Sequence, residues 1–267
     1  MTVHRKTMLN KYPTAYSCLV MRTPNQPEIK RFASRVSFSP LRIIAYILHA
    51  TGLERIYKPR FMRHTSLMDF TDEVAARLPS NCYSVTGAKM DPMNLVLIGR
   101  DADIKHVFRR AGWHRANPAT PFHLLYGVLT LLARRPYRTG PFTPLFVNIG
   151  LQDLAYQQVT KAGSFKRRHH VRIWRTGLLL PGDKRVWVAA ASFDTRIKIQ
   201  LAPPFIHHAI DPNLDRERSF VVKSLEDQGA LRLKSVSMND AVLASQTATN
   251  GYGAEYFTDG RAVVVEI

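Results

Sequence analysis

Two cysteines, Cys18 and Cys82, are all that this 267-residue chain contains. One pair builds no disulfide scaffold, and the chain has neither a CxxC nor a zinc-finger spacing. Such sparse use fits a reducing compartment. Acidic residues are scarce too, 20 Asp and Glu against 38 Lys and Arg. No apolar run approaches the roughly 20 residues that span a bilayer. The longest runs are 41–53 and 122–133, and the first contains Arg42 and His49. That first run follows Lys30, Arg31 and Arg35 in the manner of a signal peptide. It lies far from Met1, however, and has no small-residue cleavage site. Internal repeats and low-complexity blocks are also missing.

What is present is an ordinary globular composition, 45% apolar and 22% charged. A chain of this length buries roughly 70–75% of its unfolded surface and needs no staple. The net charge is +18 and it is uneven: residues 1–60 hold eleven Lys and Arg against only Glu28 and Glu54. A basic chain attracts polyanions such as acidic lipid, phosphorylated ligands or nucleic acid. Residues 1–40, rich in Pro, Ser, Thr, Lys and Arg, read as a basic arm. The 41–53 stretch reads as a short amphipathic helix, lying on a membrane surface or docked on the domain.

Beyond the arm, helical and strand patterns follow one another. SLMDFTDEVAARL (66–78) predicts a helix capped from Asp69 or Thr71 and stopped by Pro79. NLVLIG (94–99) predicts a buried strand. A helix over 102–110 follows, with Asp101 as its cap, Ile104, Val107 and Phe108 as its core stripe and Gly112 as its stop. Residues 120–133 predict another helix, and PLFVNIG (144–150) a strand. Two strands, 169–175 and 185–193, flank a turn with Pro181-Gly182-Asp183. Asp211 and Pro212 suit the N-cap and first position of a helix running to about Asp227. Strands over 231–237 and 262–267 complete the pattern. The expectation is an α/β fold with an α+β tendency: a mixed β-sheet with flanking helices, one domain over 65–267 behind an arm over 1–64.

The run Arg168-His169-His170-Val171-Arg172-Ile173-Trp174 carries the most chemistry. Strand alternation puts Arg168, His170, Arg172 and Trp174 on one face and His169, Val171 and Ile173 on the other. The second face suits the core. The first combines forked donors with a titratable ring, which suits an anion. Pairing Trp174 with Trp187 would set Arg172 beside Ala189 and His170 beside Ala191, leaving room at the polar groups. A one-residue slip would reverse that arrangement. The bland alternative is a solvent-facing basic strand.

A second cluster runs from His207 and His208 to Asp211 and Asp215. Imidazole with carboxylate suits a divalent metal or general acid–base work, although the spacing matches no familiar zinc helix motif. Asp211 also has the capping role, and Glu217 with Arg218 reads as surface charge. Asp194, at the end of the 185–193 strand, either starts a turn or orients His169 or His170. The candidate ligand-binding residues are thus Arg168, Arg172 and Trp174. His170, Asp194 and His208 are the candidate catalytic residues, and His207 and Asp211 the candidate ligands of a divalent metal.

PMNLVLIG (92–99), Ala111-Gly112-Trp113, Gln152-Asp153-Leu154-Ala155, RRHHVRIW, VWVAAASFD, HHAIDPNLDRER and GAEYFTDG (253–260) follow one another in order and spacing. Together, over about 65–267, they resemble the LssY-like C-terminal domain family. The resemblance implies a domain named for a secretion-locus component and often found after membrane-embedded modules of the phosphatidic-acid-phosphatase or DedA type. These residues show neither such a module nor lipid-phosphatase motifs, so that activity is not carried over. One expectation is a domain that binds a phosphorylated or lipid head-group ligand, cytoplasmic and peripheral to the inner membrane, with an acidic lipid surface or a membrane protein as partner. Another is a metal-assisted hydrolase of an anionic phosphoester. Non-specific nucleic-acid binding ranks last, because the charge sits in an irregular arm.

Overall fold

In the computed structural model, residues 39–51, 53, 65–133, 135–160, 167–201 and 204–267 are described, without the side chains of 131, 197–201 and 204–208. Most of the basic arm therefore lies outside the described residues. Ser37–Ile267 form one compact unit.

Continuous apolar runs become strands buried on both faces. Seven long strands build the main sheet: β1 (Leu95–Gly99), β2 (Leu154–Val159), β3 (Arg168–Leu180), β4 (Lys184–Leu201), β5 (Pro204–Ile210), β6 (Leu231–Ser237) and β7 (Arg261–Glu266). Their order is β6-β7-β1-β4-β3-β2, extended by His114–Arg115 on β2, by Thr65–Ser66 on β3 and by β5 on the far half of β4. β7 runs parallel to β1, while β6–β7, β1–β4, β4–β3 and β3–β2 are antiparallel, so the sheet is mixed as expected.

Five helices occur among the described residues: α1 (Pro40–Ala50), α2 (Asp72–Ala76), α3 (Asp101–Arg110), α4 (Pro121–Leu132) and α5 (Leu214–Glu226). α3 and α5 cover one face of the sheet. There Ile104, Phe108, Val221 and Leu225 pack on Leu95, Leu97, Val171, Ile173, Trp187 and Val265. The opposite face meets a small four-stranded sheet made from Asn81–Tyr83, Lys89–Pro92, Phe146–Val147 and Gly150–Leu151. Cys82, Met93, Leu145 and Val147 pack there against Val96, Trp174, Val188 and Val264. This is an α/β layered domain with two cores, one on each side of a single sheet.

Several local expectations change. The 66–78 helix shortens to α2, capped by Thr71 through Val74 N–H at 3.3 Å. The 144–150 strand becomes two short pieces around Asn148, whose φ is 54°. The helix expected to start at Asp211-Pro212 starts instead after Asn213, whose side chain accepts from Arg216 N–H. Asp211 closes an Asx turn one step earlier by accepting from Asn213 N–H at 2.9 Å. Cys82 is a free, buried thiol, raised above its ordinary pKa by burial, and it donates to the Asp91 carbonyl.

The hairpin register also differs by one residue. Trp174 lies opposite Val188, Arg172 opposite Ala190 and His170 opposite Ser192. The cause is the connection. Pro181, Gly182 and Asp183 form a three-residue turn with both Gly182 and Asp183 at positive φ, so Leu180 faces Lys184. An odd loop pairs even-numbered residues with even-numbered ones. A bulge where Thr176 Oγ1 donates to the Val186 carbonyl then shifts the pairing by two residues and keeps that parity.

Candidate functional site

The parity correction gives the polar face of β3 its neighbours. Ser192 and Asp194 project from β4 on the same side as Arg168, His170 and Arg172, and Gln157 projects from β2 opposite His170. That face is not open to solvent, because the small sheet and residues 135–145 cover it. Arg168, His170, Arg172, Trp174, Ser192, Asp194 and Gln157 are all buried, which removes the solvent-facing basic strand as a description.

Buried charge has to be paired, and here it is. Arg168 Nε donates to Asp194 Oδ2 at 2.8 Å, and Arg168 NH1 donates to Gln157 Oε1 at 2.8 Å. Gln157 Nε2 in turn donates to the Gly140 carbonyl at 2.7 Å. Burial draws the Arg168 guanidinium below its ordinary pKa, against the opposing pull of Asp194. The second oxygen of Asp194 lies 3.3 Å from His170 Nδ1, and His170 Nε2 lies 2.8 Å from Ser192 Oγ. Nδ1 thus stands at ion-pair distance from Asp194 without a hydrogen bond between them, and Nε2 shares with the serine hydroxyl a hydrogen bond whose direction follows the ring's tautomer. Asp194 lies within β4 beside His170 and starts no turn there.

Arg172 faces Asp91 Oδ2 at 3.7 Å, and its Nε makes no hydrogen bond among the described residues. Asp91 accepts from Asn250 Nδ2 at 3.1 Å, and burial raises its pKa against the pull of Arg172. The Phe142 ring lies over this group. Its centroid is 4.5 Å from Arg168 Cζ, 5.1 Å from Arg172 Cζ and 5.2 Å from the His170 ring. Trp174 shares the face but belongs to its apolar part, against Val188 and Val96.

On the helix side, His169 is half-buried, stacked on Phe220 at 3.8 Å and tilted against Phe193 at 4.6 Å. Its Nδ1 lies 2.8 Å from Glu217 Oε2. Glu217 is buried, and desolvation raises its pKa against the pull of His169. Arg218 is buried as well, forking onto Asp259 at 2.7 and 2.9 Å and donating to the Arg261 carbonyl. Neither residue is the surface charge its sequence suggested. They sit on the inward face of α5, where each is matched by a partner.

The candidates thus divide. Arg168, His170, Arg172 and Asp194 come together. Asp211, at the end of β5, bonds to its own turn and lies 3.8 Å from Arg216. His207 and His208 pair through their backbones with Lys198 and Ile197, and their side chains lie outside the described residues. Among the described residues no three His, Cys, Asp or Glu are arranged to hold a metal ion. Sequence reading missed Ser192, Gln157, Asp91, Asn250 and Phe142. The turn length alone would have put Ser192 on the same face as His170, with the bulge setting the pairing between them, whereas Phe142 and Asn250 arrive from irregular segments that carry no such signal.

A second feature lies at the surface. α4, PFHLLYGVLTLL, holds no Asp, Glu, Lys or Arg. Among its described side chains, Thr130 is buried and His123 half-buried, with Gly127 on the same side, while Phe122 is 71%, Leu125 61% and Leu132 75% exposed. α1 is turned inside out. Arg42 and His49 are its buried residues, with Arg42 Nε donating to the Asn148 carbonyl and His49 Nε2 accepting from Ala119 N–H at 3.0 Å. Leu41, Ile44 and Ile47 face outward, each about half exposed. The His49 contact joins α1 to the chain just before α4.

The family model for the LssY C-terminus matches residues 76–262, well over half of the chain. No curated protein and no solved structure matches.

Proposed function

The chain belongs to the LssY C-terminus family, and from that premise we propose a domain that seats on an acidic membrane surface and holds an anionic group there. The observation that carries this reading is the exposed apolar side of α4. A helix apolar nearly all round is normally covered. At twelve residues α4 is about 18 Å long, too short to cross a bilayer of about 30 Å but suited to lying in its interface. No helix among the described residues is long and apolar enough to cross a membrane. The inverted α1 adds a second outward apolar stripe. Arg135 and Arg138 are exposed just beyond α4, and the chain carries +18 overall. Each basic residue near an acidic leaflet adds about 1 kcal/mol of attraction. In the buried layer on β3, Arg172 offers a guanidinium whose Nε is unused among the described residues, suited to a phosphate or carboxylate.

The test is flotation with vesicles of phosphatidylglycerol and phosphatidylcholine, for the natural chain and for Leu125→Ser/Leu129→Ser/Leu132→Ser. At 61%, 53% and 75% exposure, the three leucines present about two full side chains. Burying them contributes roughly 3–6 kcal/mol if they are wholly immersed, and about half that at the interface. The variant should therefore float at least tenfold more weakly, and salt should weaken the natural chain. A natural chain that stays at the bottom at low salt, or a variant that floats equally well, overturns the reading. A membrane-protein partner would instead be retained by detergent-solubilised membranes and not by pure lipid.

A further inference from the structure

We infer that Ser192, His170 and Asp194 are the nucleophile, base and orienting carboxylate of an ester hydrolase that Phe142 keeps covered in the free protein, with a carboxylic ester of a phosphate-bearing amphiphile as its substrate. The amphiphilic nature of the substrate and the opening by lipid rest on the membrane-docking reading; the hydrolytic chemistry does not.

The geometry carries the assignment. Ser192 Oγ is 2.8 Å from His170 Nε2, and His170 Nδ1 is 3.3 Å from Asp194 Oδ1. This is the order nucleophile, base and carboxylate of an activated serine, in which the Nδ1–Asp194 approach is an ion-pair contact that tightens to a hydrogen bond when substrate is bound. Arg168, held by Gln157, fixes the other oxygen of Asp194 and so acts as a positioning residue. Arg172 stands two residues from His170 on the same strand face, about 7 Å along the strand. It is placed to take the phosphate while the ester carbonyl reaches Ser192.

The chemistry balances with one water. Ser192 Oγ attacks the carbonyl carbon as its proton passes to His170 Nε2, and the carbonyl π pair moves onto oxygen. The tetrahedral species collapses, the alcohol oxygen leaves and takes the proton from Nε2, and the acyl group stays on Ser192. Water then attacks that carbonyl carbon and gives a proton to Nε2. The bond to Oγ breaks, Oγ recovers the proton, and a carboxylic acid is released.

Access is the remaining requirement, since Ser192 is fully buried. Its cover is irregular backbone. Residues 135–145 form no strand or helix, and they are tied at Thr139 to Asn117 and at Gly140 to Gln157. The same segment is coupled to the exposed helix: Tyr137 packs edge-on against Tyr126 at 5.0 Å, and its hydroxyl meets His123 Nδ1 at 3.2 Å, both on α4. Seating α4 in lipid therefore pulls on the segment that carries Phe142.

The experiment uses the full chain with Phe142→Ala and the milder Phe142→Leu, a fluorophosphonate probe and a soluble nitrophenyl ester, without lipid. Uncovered protein should be phosphonylated at Ser192, located by peptide mass spectrometry, and should hydrolyse the ester. Ser192→Ala in that background should remove both activities while the chain keeps a cooperative thermal transition, lowered by the lost hydrogen bond to His170. His170→Gln should slow hydrolysis by about 100-fold or more and flatten the rise in rate with pH. The natural chain should gain labelling only when anionic vesicles are added. If either folded Phe142 variant is labelled nowhere, or is labelled equally after Ser192→Ala, the inference falls even if the chain floats with vesicles. Labelling of the Phe142 variants with no vesicle response of the natural chain leaves the hydrolase standing and removes the opening by lipid, while flotation alone decides the docking.

Discussion

Replacing Asp194 by Ala tests the energetics of the buried layer independently of any reaction. The carboxylate is buried and receives Arg168 Nε at 2.8 Å, while His170 Nδ1 lies at 3.3 Å. Its loss takes the carboxylate from a guanidinium that is also buried and that keeps its bond to the amide oxygen of Gln157. Breaking one partner of a buried pair typically costs about 3–5 kcal/mol, chiefly because the surviving charge is left desolvated. For a domain of this size a kcal/mol moves the midpoint by about 2–4 °C, so the melting temperature should fall by roughly 6–20 °C. Arg168→Met/Asp194→Leu removes both charges at similar volume and should recover most of that loss, giving a coupling energy of at least about 2 kcal/mol. Urea denaturation of the natural chain, Arg168→Met, Asp194→Leu and the double measures all four corners of the cycle. A cost under about 1 kcal/mol for Asp194→Ala, or two single losses that simply add, refutes the account of the layer as a desolvated ion-pair network.

Two further outcomes follow from groups outside that layer. Gly260 holds φ at 75°, and a Cβ there would overlap the Asn239 carbonyl oxygen, so Gly260→Ala should lose about 1–3 kcal/mol in denaturant titration. Glu217 has a pKa raised in the folded chain by burial, with His169 opposing and Asp194 and Asp211 reinforcing. A raised folded pKa stabilises at low pH, and that contribution disappears as pH climbs through the ordinary carboxylate range and on to the folded value. Melting temperatures of Glu217→Gln should therefore gain on the natural chain as pH rises from about 4, and a pH-independent difference would show that Glu217 is not desolvated.

The strands at 94–99 and 262–267 were legible because runs of Leu, Val and Ile without alternation mean burial on both faces, and the structure puts a core on each side of β1 and β7. α3 was legible from Ile104, Val107 and Phe108 at helical spacing. Alternation also separated Arg168, His170 and Arg172 from His169, Val171 and Ile173. It could not say that the polar face would be roofed, because the roof comes from Phe142, Asp91 and Asn250, far away in sequence. The register depended on one residue of turn length, and that residue moved Ser192 into the site and Ala191 out of it. α1 shows the limit of a periodic pattern. The stripe of Leu41, Ile44 and Ile47 is plain, but periodicity carries no sign, and Arg42 and His49 are the residues that turn inward. Glu217 and Arg218 misled for a similar reason: charge suggests solvent until a partner supplied by another segment is known.

The position of β7 between β1 and β6 has a consequence for how the domain is made. β6 pairs along the sheet only with β7, and β1 has its second edge filled by β7. During synthesis, the ribosome must release the whole span from Leu95 to Arg261 before that slot is occupied. Until then the apolar edge of β1 stands open and β6 has nowhere to dock, so the sheet closes late, through contacts distant in sequence, and slowly. A nascent chain paused before Arg261 would expose a strand-shaped vacancy lined by Leu95, Val96, Leu97 and Ile98, the kind of surface that holding chaperones shield and that aggregates otherwise.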